Sequence, residues 1–318
     1  MAFGLLFLKI LVVMLTLQGV VAYLIYVERK VCAYMQNRVG PNRVGWHGLL
    51  QPIADVVKLL LKEPFVPNDA NKVLFVLAPA IAVFTTTLGF AVVPFGPTTP
   101  GDPKSFVIAP GIDVGILFIF AVSSLAVYAV ILAGWSSNSK YSFLGGLRSS
   151  AQFISYEIPL GLSILGVVLI TGSLNLERII AYQADHVWLV FYQPLSVLLF
   201  FTSALAECNR LPFDLPECEQ ELVGGYNTEY SGMQWAMFFF GEYTHMITVS
   251  FLTAILFFGG WDLPWVISAG QTGFIASLAK VLVLLAKGFA GILFMMWIRW
   301  TLPRFRFDQL MNLAWRAF

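Results

Sequence analysis

The sequence predicts an all-α polytopic membrane protein, and three observations carry that reading. Hydrophobic residues make up 58% of the 318-residue chain, charged residues only 12%, and mean hydropathy is +0.78. A soluble domain carries roughly 25% charged residues, so about half the usual supply for a wetted surface is missing. The apolar residues collect into seven runs, each near the ~20 residues that a bilayer crossing requires. The basic residues gather in alternate loops between those runs. A formal charge of +1 argues against nucleic-acid binding by bulk electrostatics. The 28 Phe, with abundant Leu, Val and Ile, argue against disorder.

Spans are expected at 4–27, 73–93, 112–134, 151–171, 187–206, 235–258 and 274–300. The first apolar stretch is too long for a signal peptide, no small-residue cleavage site follows it, and Glu28-Arg29-Lys30 ends it, so it reads as a retained helix. The loops after spans one, three, five and seven hold fourteen of the nineteen Lys and Arg residues, whereas the opposite side holds only Lys104 and Arg178. The positive-inside rule places the first set on the cytoplasmic side, or its mitochondrial equivalent. The N-terminus is then outside and the C-terminus inside. The outer loop 94–111 is Pro/Gly-rich and reads as a connection. Neither a repeat nor a pair of matching interrupted segments of the inverted-repeat transporter kind is visible. Residues 1–318 therefore read as a single membrane domain with two long inner loops, 28–72 and 207–234.

The first inner loop contains a short amphipathic helix at 46–62. Gln51, Asp55, Lys58 and Lys62 form one polar stripe, and Leu49, Leu50, Ile53, Val56, Val57, Leu60 and Leu61 cover the rest. Its length and charge suit the membrane interface. It is either a plain anchor or the lip of a cavity that an amphiphile enters from the bilayer. The second inner loop sets Glu207, Asp214, Glu217, Glu219, Glu221 and Glu229 against a single Arg210. Clustered or buried carboxylates raise one another's pKa. A solvated acidic loop is the bland alternative, but Pro212, Phe213, Leu215, Pro216, Leu222, Val223 and Tyr226 interleave with the acids and favour a packed segment. Divalent-metal binding is disfavoured, because no His accompanies the acids and the spacing is not that of an EF-hand.

Within the spans, Glu157, Glu242, His245, Lys280 and Lys287 are the costly residues, at about 2.5–3.5 kcal/mol for a charge at the bilayer centre. Pro159 beside Glu157 favours a local kink. Lys280 and Lys287 share a helix face and either snorkel, pair with neighbours or line a polar path. His245 reads as a packed, hydrogen-bonded side chain rather than a metal ligand. Cys32, Cys208 and Cys218 form no CxxC pair, so a redox cluster or other metal held by this chain alone is not expected.

Several segments, in order, resemble one family: the H-type, quinone-chamber membrane subunit of proton-translocating NADH:quinone oxidoreductase, respiratory complex I. They are Glu28-Arg29-Lys30, Gln36-Asn37-Arg38-Val39-Gly40-Pro41-Asn42, Gly48-Leu49-Leu50-Gln51-Pro52, Lys62-Glu63-Pro64, Gly134-Trp135-Ser136-Ser137-Asn138, Ser155-Tyr156-Glu157, the loop from Ala206 to Tyr230, Gly241-Glu242-Tyr243, and Pro303-Arg304-Phe305-Arg306-Phe307-Asp308-Gln309-Leu310. The resemblance covers nearly the whole chain, and the wording of the loops is more bacterial than mitochondrial, which implies the bacterial cytoplasmic (inner) membrane. It implies a subunit that joins the peripheral redox arm to antiporter-like membrane subunits. Quinone (ubiquinone or menaquinone) is then the substrate, and FMN and iron–sulfur clusters reside only in partner subunits. By that resemblance Arg29, Arg38 and Asp55 lie near the mouth of the quinone chamber. Glu207, Arg210, Asp214, Glu217, Glu219, Glu221 and Glu229 form the acidic loop beside it. Glu157 and Glu242 continue an acid path into the membrane, with Lys287 and Arg299 as cationic partners.

The sequence departs from the pattern in three ways, one being that the resemblance assigns no role to Lys280 or His245. The family usually has an eighth span after the Asp308-Gln309-Leu310-Met311 segment. Cys208 and Cys218 stand where small or polar residues are expected. Two other functions share parts of the pattern. The homologous membrane subunit of an energy-converting hydrogenase has the same fold without quinone. A stand-alone ion transporter would be active as the purified chain.

Overall fold

The computed structural model describes residues 2–96, 107–215, 222–263 and 274–318. The central part of the Pro-rich outer loop, and Glu217, Cys218, Glu219 and Glu221 of the acidic loop, lie outside the described residues. The first helix, α1 (Ala2–Met35), runs past the expected end at 27. Nothing in Glu28–Met35 breaks a helix: Gly and Pro are absent, and the chain turns only where Asn37 takes a positive φ of 52°. Glu28 is therefore a helix residue rather than a loop flank.

The amphipathic segment forms a 3₁₀ turn, Trp46–Gly48, and then α2 (Gln51–Leu61), with Pro52 in the first turn where its missing N–H costs nothing. The second span is α3 (Lys72–Leu88), whose N-terminus is capped by Asn71 accepting from the Leu74 N–H at 3.4 Å. The third span divides into α4 (Gly115–Ser124) and α5 (Ala126–Ser136). Ser123 and Ser124 donate to the carbonyls of Phe120 and Ala121, both at 3.1 Å, a back-bonding that bends helices.

Next, α6 (Lys140–Thr171) begins well before the expected 151 because its Gly- and Ser-containing first turns lower hydropathy without stopping the helix. Gly172, at φ 66°, ends it in the left-handed conformation. An unforeseen outer helix, α7 (Leu176–Asp185), follows, capped by Asn175 accepting from the Glu177 N–H at 2.9 Å. The fifth expected span arrives in two pieces, α8 (Leu189–Tyr192) and α9 (Pro194–Glu207), because Pro194 interrupts the hydrogen-bond ladder. The remaining helices are α10 (Gly232–Phe257), α11 (Phe274–Thr301) and α12 (Phe307–Asn312), the last closed by a π turn at Leu313–Ala317.

Among the described residues, six helical segments are long and apolar enough to cross a bilayer alone, and the α8–α9 pair covers the seventh expected run. Backbone bonds tie the ends on each side as the loop charges require. On the inner side Asn71 N donates to Ser136 O and Phe305 N to Pro212 O, both at 3.1 Å. On the outer side Ile116 N donates to Leu174 O at 3.2 Å. The centre of the bundle is α10, which is 78% buried over its most apolar stretch against 17% for α1. It packs on α3 and α11, while α6 packs on α5 and α9. Close approach is set by glycine: a Cβ on Gly145 of α6 would lie 2.6 Å from Gly225 Cα, in the 3₁₀ turn Gly225–Asn227 of the second inner loop.

Candidate functional site: a buried acid–base cluster

The inner ends of α1, α9, α10 and α11 bring opposite charges to one place. Glu28 on α1 is 5% exposed. It accepts hydrogen bonds from Arg299 Nη1 on α11 and from the Tyr243 hydroxyl on α10, and faces Arg210 Nη1 at 3.5 Å. Arg210 is itself buried, lies over the Tyr243 ring at 4.3 Å, and reaches Glu242 at 4.0 Å. The cluster is thus two carboxylates against two guanidiniums, which is how buried charge is tolerated. Burial works against the Arg210 charge, but Glu28, Tyr243 and Glu242 outweigh it and push its pKa above the ordinary guanidinium value.

Local structure explains why Arg210 points inward. After α9 the chain turns at Asn209, which takes a positive φ of 48°, a conformation Asn tolerates better than most residues. Gln152 of α6, fully buried, donates its amide to Ala206 O at 2.7 Å and to Phe213 O at 2.9 Å. Those two bonds span the turn and hold it closed. Phe213 stacks on Phe305 at 5.6 Å, and Arg304 pairs with Asp214 at 3.4 Å, which fixes the loop to the segment after α11.

One helical turn from Glu242, His245 Nε2 lies 3.5 Å from Glu207 Oε1. Glu207, Glu242 and His245, with Asn209, Thr86 and Ser123, line a cavity of about 50 Å³. That is room for a few water molecules. Glu157 on α6 is half-buried and lies within electrostatic reach of Glu207. Cys208 lines the same cavity, and burial, then the neighbouring Glu207 charge, pushes its thiol well above the ordinary cysteine value, so it is not a ready nucleophile.

The remaining candidates are placed elsewhere. Arg29, next in sequence to Glu28, points away from the cluster and pairs at 2.7 Å with Asp55 of α2, which also accepts from Gln51 at 2.9 Å. Arg38 is exposed and lies 3.8 Å from the Cys32 sulfur. Glu229 is half-buried beyond the Gly225–Asn227 turn. Lys287 donates to the carbonyls of Phe258, Gly260 and Asp262 at 2.7, 2.9 and 2.6 Å, closing the outer end of α10. It stands a dozen residues before Arg299 on α11, roughly 18 Å along the helix, so the structure does not bring it to Glu242. Among the described residues, no three His, Cys, Asp or Glu side chains converge as a metal site.

Sequence reasoning misses Glu28, Tyr243 and Gln152. An acid closing an apolar run is the one signal for Glu28. Gln152 sits within an expected span with nothing to flag it.

Fold and site together define a polytopic helical membrane protein that holds a buried, interhelical acid–base cluster beside a small cavity. The family description that matches residues 8–318 is NADH dehydrogenase. Over 98% of its length the chain is 51% identical to an H-type subunit of NADH-quinone oxidoreductase from Geobacter sulfurreducens, covering 89% of that protein. It is 52% identical, over 98% of its length, to the H-type NADH-quinone oxidoreductase subunit from Rickettsia prowazekii, covering 88% of it. Against an H-type NADH-quinone oxidoreductase subunit from Cytophaga hutchinsonii the identity is 47%, over 92% of this chain and 86% of that one. The chain belongs to this family.

Proposed function

We propose that this chain is the membrane subunit of a proton-pumping NADH:quinone oxidoreductase in a bacterial cytoplasmic membrane. It forms the entrance and part of the wall of the quinone chamber and begins the carboxylate path that couples quinone reduction to proton translocation. The observation that carries the reading is the Glu28–Arg210–Arg299–Tyr243–Glu242 cluster, buried at the inner ends of four helices and continued by Glu207 and Glu157. Reduction of a quinone nearby draws in protons and negative charge, and coupled carboxylates respond by shifting their shared titration. Arg29, Asp55 and Arg38 stand at the membrane interface on α1, α2 and the loop between them, where a quinone would leave the bilayer. The loop that carries Arg210, Asp214 and Glu229, and in sequence Glu217, Glu219 and Glu221, lies between the quinone and the redox-arm subunits, which supply FMN and the iron–sulfur clusters. The antiporter-like subunits receive the charge change.

Purification from membranes in mild detergent tests the reading. The expected result is co-purification of flavin and iron–sulfur subunits with NADH:quinone reductase activity. Ion transport by the isolated chain, or co-purification of a hydrogenase in place of the flavin subunit, would contradict it.

A further inference from the structure

Glu207 and His245 do more than line one cavity. A second space, of about 10 Å³, lies on their other side among Ile119, Phe120, Leu160, Phe200, Thr248, Val249 and Leu252, and Glu207, His245 and Ser123 line both. The larger space adds Glu242, Asn209 and Thr86 to a mainly apolar lining that includes Val130, Phe153 and Phe238; apart from the shared residues the smaller is lined almost wholly by apolar side chains. The carboxylate and imidazole, 3.5 Å apart, are therefore shared between a larger cavity that also holds a second carboxylate, Glu242, and a smaller, nearly dry one. We infer that Glu207 and His245 act as one proton-holding pair between these cavities, with His245 a positioning and proton-sharing residue for Glu207 in the coupling path. This rests on the function proposed above.

The chemistry favours a shared proton. With one proton between them the pair is either a carboxylic acid beside a neutral imidazole or a carboxylate beside an imidazolium. Both forms carry the same net charge, so moving the proton across the gap leaves no uncompensated charge in a low-dielectric interior. An amide at position 245 keeps a hydrogen-bonding group but cannot accept the proton. Other charged or titratable groups surround the pair. Glu242 on α10, Cys208 after α9 and Tyr226 of the second inner loop line the same cavity, Glu157 on α6 lies within electrostatic reach of Glu207, and Glu242 connects through Arg210 to Glu28 and Arg299. The pair consequently titrates as part of a coupled set. Removing one of its two proton sites leaves fewer ways to hold the last proton, so that proton is lost at lower pH.

The test uses the assembled enzyme in inverted membrane vesicles, with His245→Asn and His245→Gln as two independent amide variants and Glu207→Gln as reference. NADH:ferricyanide activity reports assembly. The alkaline limb of proton pumping against pH should move down by up to about 0.3 pH unit in both His245 variants, the factor of two lost with one of two equivalent proton sites. Glu207→Gln/His245→Asn should lose no more pumping than the worse single variant, since residues acting as a unit are non-additive. A profile superimposable on the parent's in an assembled His245 variant, while Glu207→Gln abolishes pumping, overturns the pair and leaves the proposed function standing. Unchanged pumping per NADH in both Glu207→Gln and Glu242→Gln overturns the proposed coupling path, and the pair with it.

Discussion

Glu28 and Arg29 are neighbours in sequence and occupy opposite electrostatic worlds. Glu28 is 5% exposed and bound by two guanidiniums and a phenol. The Arg29 side chain is 49% exposed and holds one partner, Asp55, at the membrane interface. Successive helix positions point about 100° apart, so one step along α1 moves a charge from protein interior to surface. A short ion-pair distance therefore says little about consequence. The Arg29–Asp55 contact is short, yet solvent screening and side-chain entropy leave such pairs worth about 0–1 kcal/mol. Breaking a buried pair strands the partner's charge and costs about 3–5 kcal/mol.

Glu28→Gln should expose that contrast most severely. It leaves Arg210 and Arg299 facing each other with one anion fewer, and a loss of about 3–5 kcal/mol is expected. The amount of chain in membranes, by immunoblot, should fall several-fold. Glu28→Asp, which keeps the charge, should recover most of it. Full accumulation of Glu28→Gln would show that the cluster is already wet.

Arg210→Lys comes next. Lysine keeps the charge but loses the planar fork and the face lying over Tyr243. NADH:quinone reductase activity is expected to fall on the order of tenfold, the loss of about 1.4 kcal/mol of interaction. NADH:ferricyanide activity should stay near the parent value. Parallel loss of both activities would assign Arg210 to assembly alone. Arg29→Lys and Asp55→Asn should do least, each changing thermal stability by no more than about 1 kcal/mol. Their remaining contribution should vanish in high salt. A larger or salt-independent change would mean that a partner subunit buries this pair.

The seven apolar runs, and the gathering of alternate helix ends, are legible because hydropathy is summed over many residues. Ends and breaks are not. Glu28-Arg29-Lys30 reads as a flank that closes the first span at 27, whereas the helix continues to Met35 and turns Glu28 inward. The outer helix Leu176–Asp185 is hidden despite its Asn175 cap and the helical spacing of Leu176, Ile179, Ile180 and Gln183, all buried, because Glu177 and Arg178 make it read as loop. Resemblance puts Lys287 beside the acid path, yet it donates to three backbone carbonyls and lies over the Trp188 ring, contacts that its spacing in the sequence does not announce. The acids Glu207 and Glu242 are legible as costly residues. Their meeting with Arg210 and His245 depends on a turn held by Gln152 and is not.

If the buried acids couple quinone chemistry to proton movement, the number of protons translocated per NADH in reconstituted vesicles must depend on their charge. Gln preserves volume and hydrogen bonding while removing the titrating charge. Glu242→Gln and Glu157→Gln should assemble, lose most proton translocation, and show reduced quinone reductase activity because the two steps are linked. An unchanged proton-to-NADH ratio in both variants would contradict a coupling role for these acids.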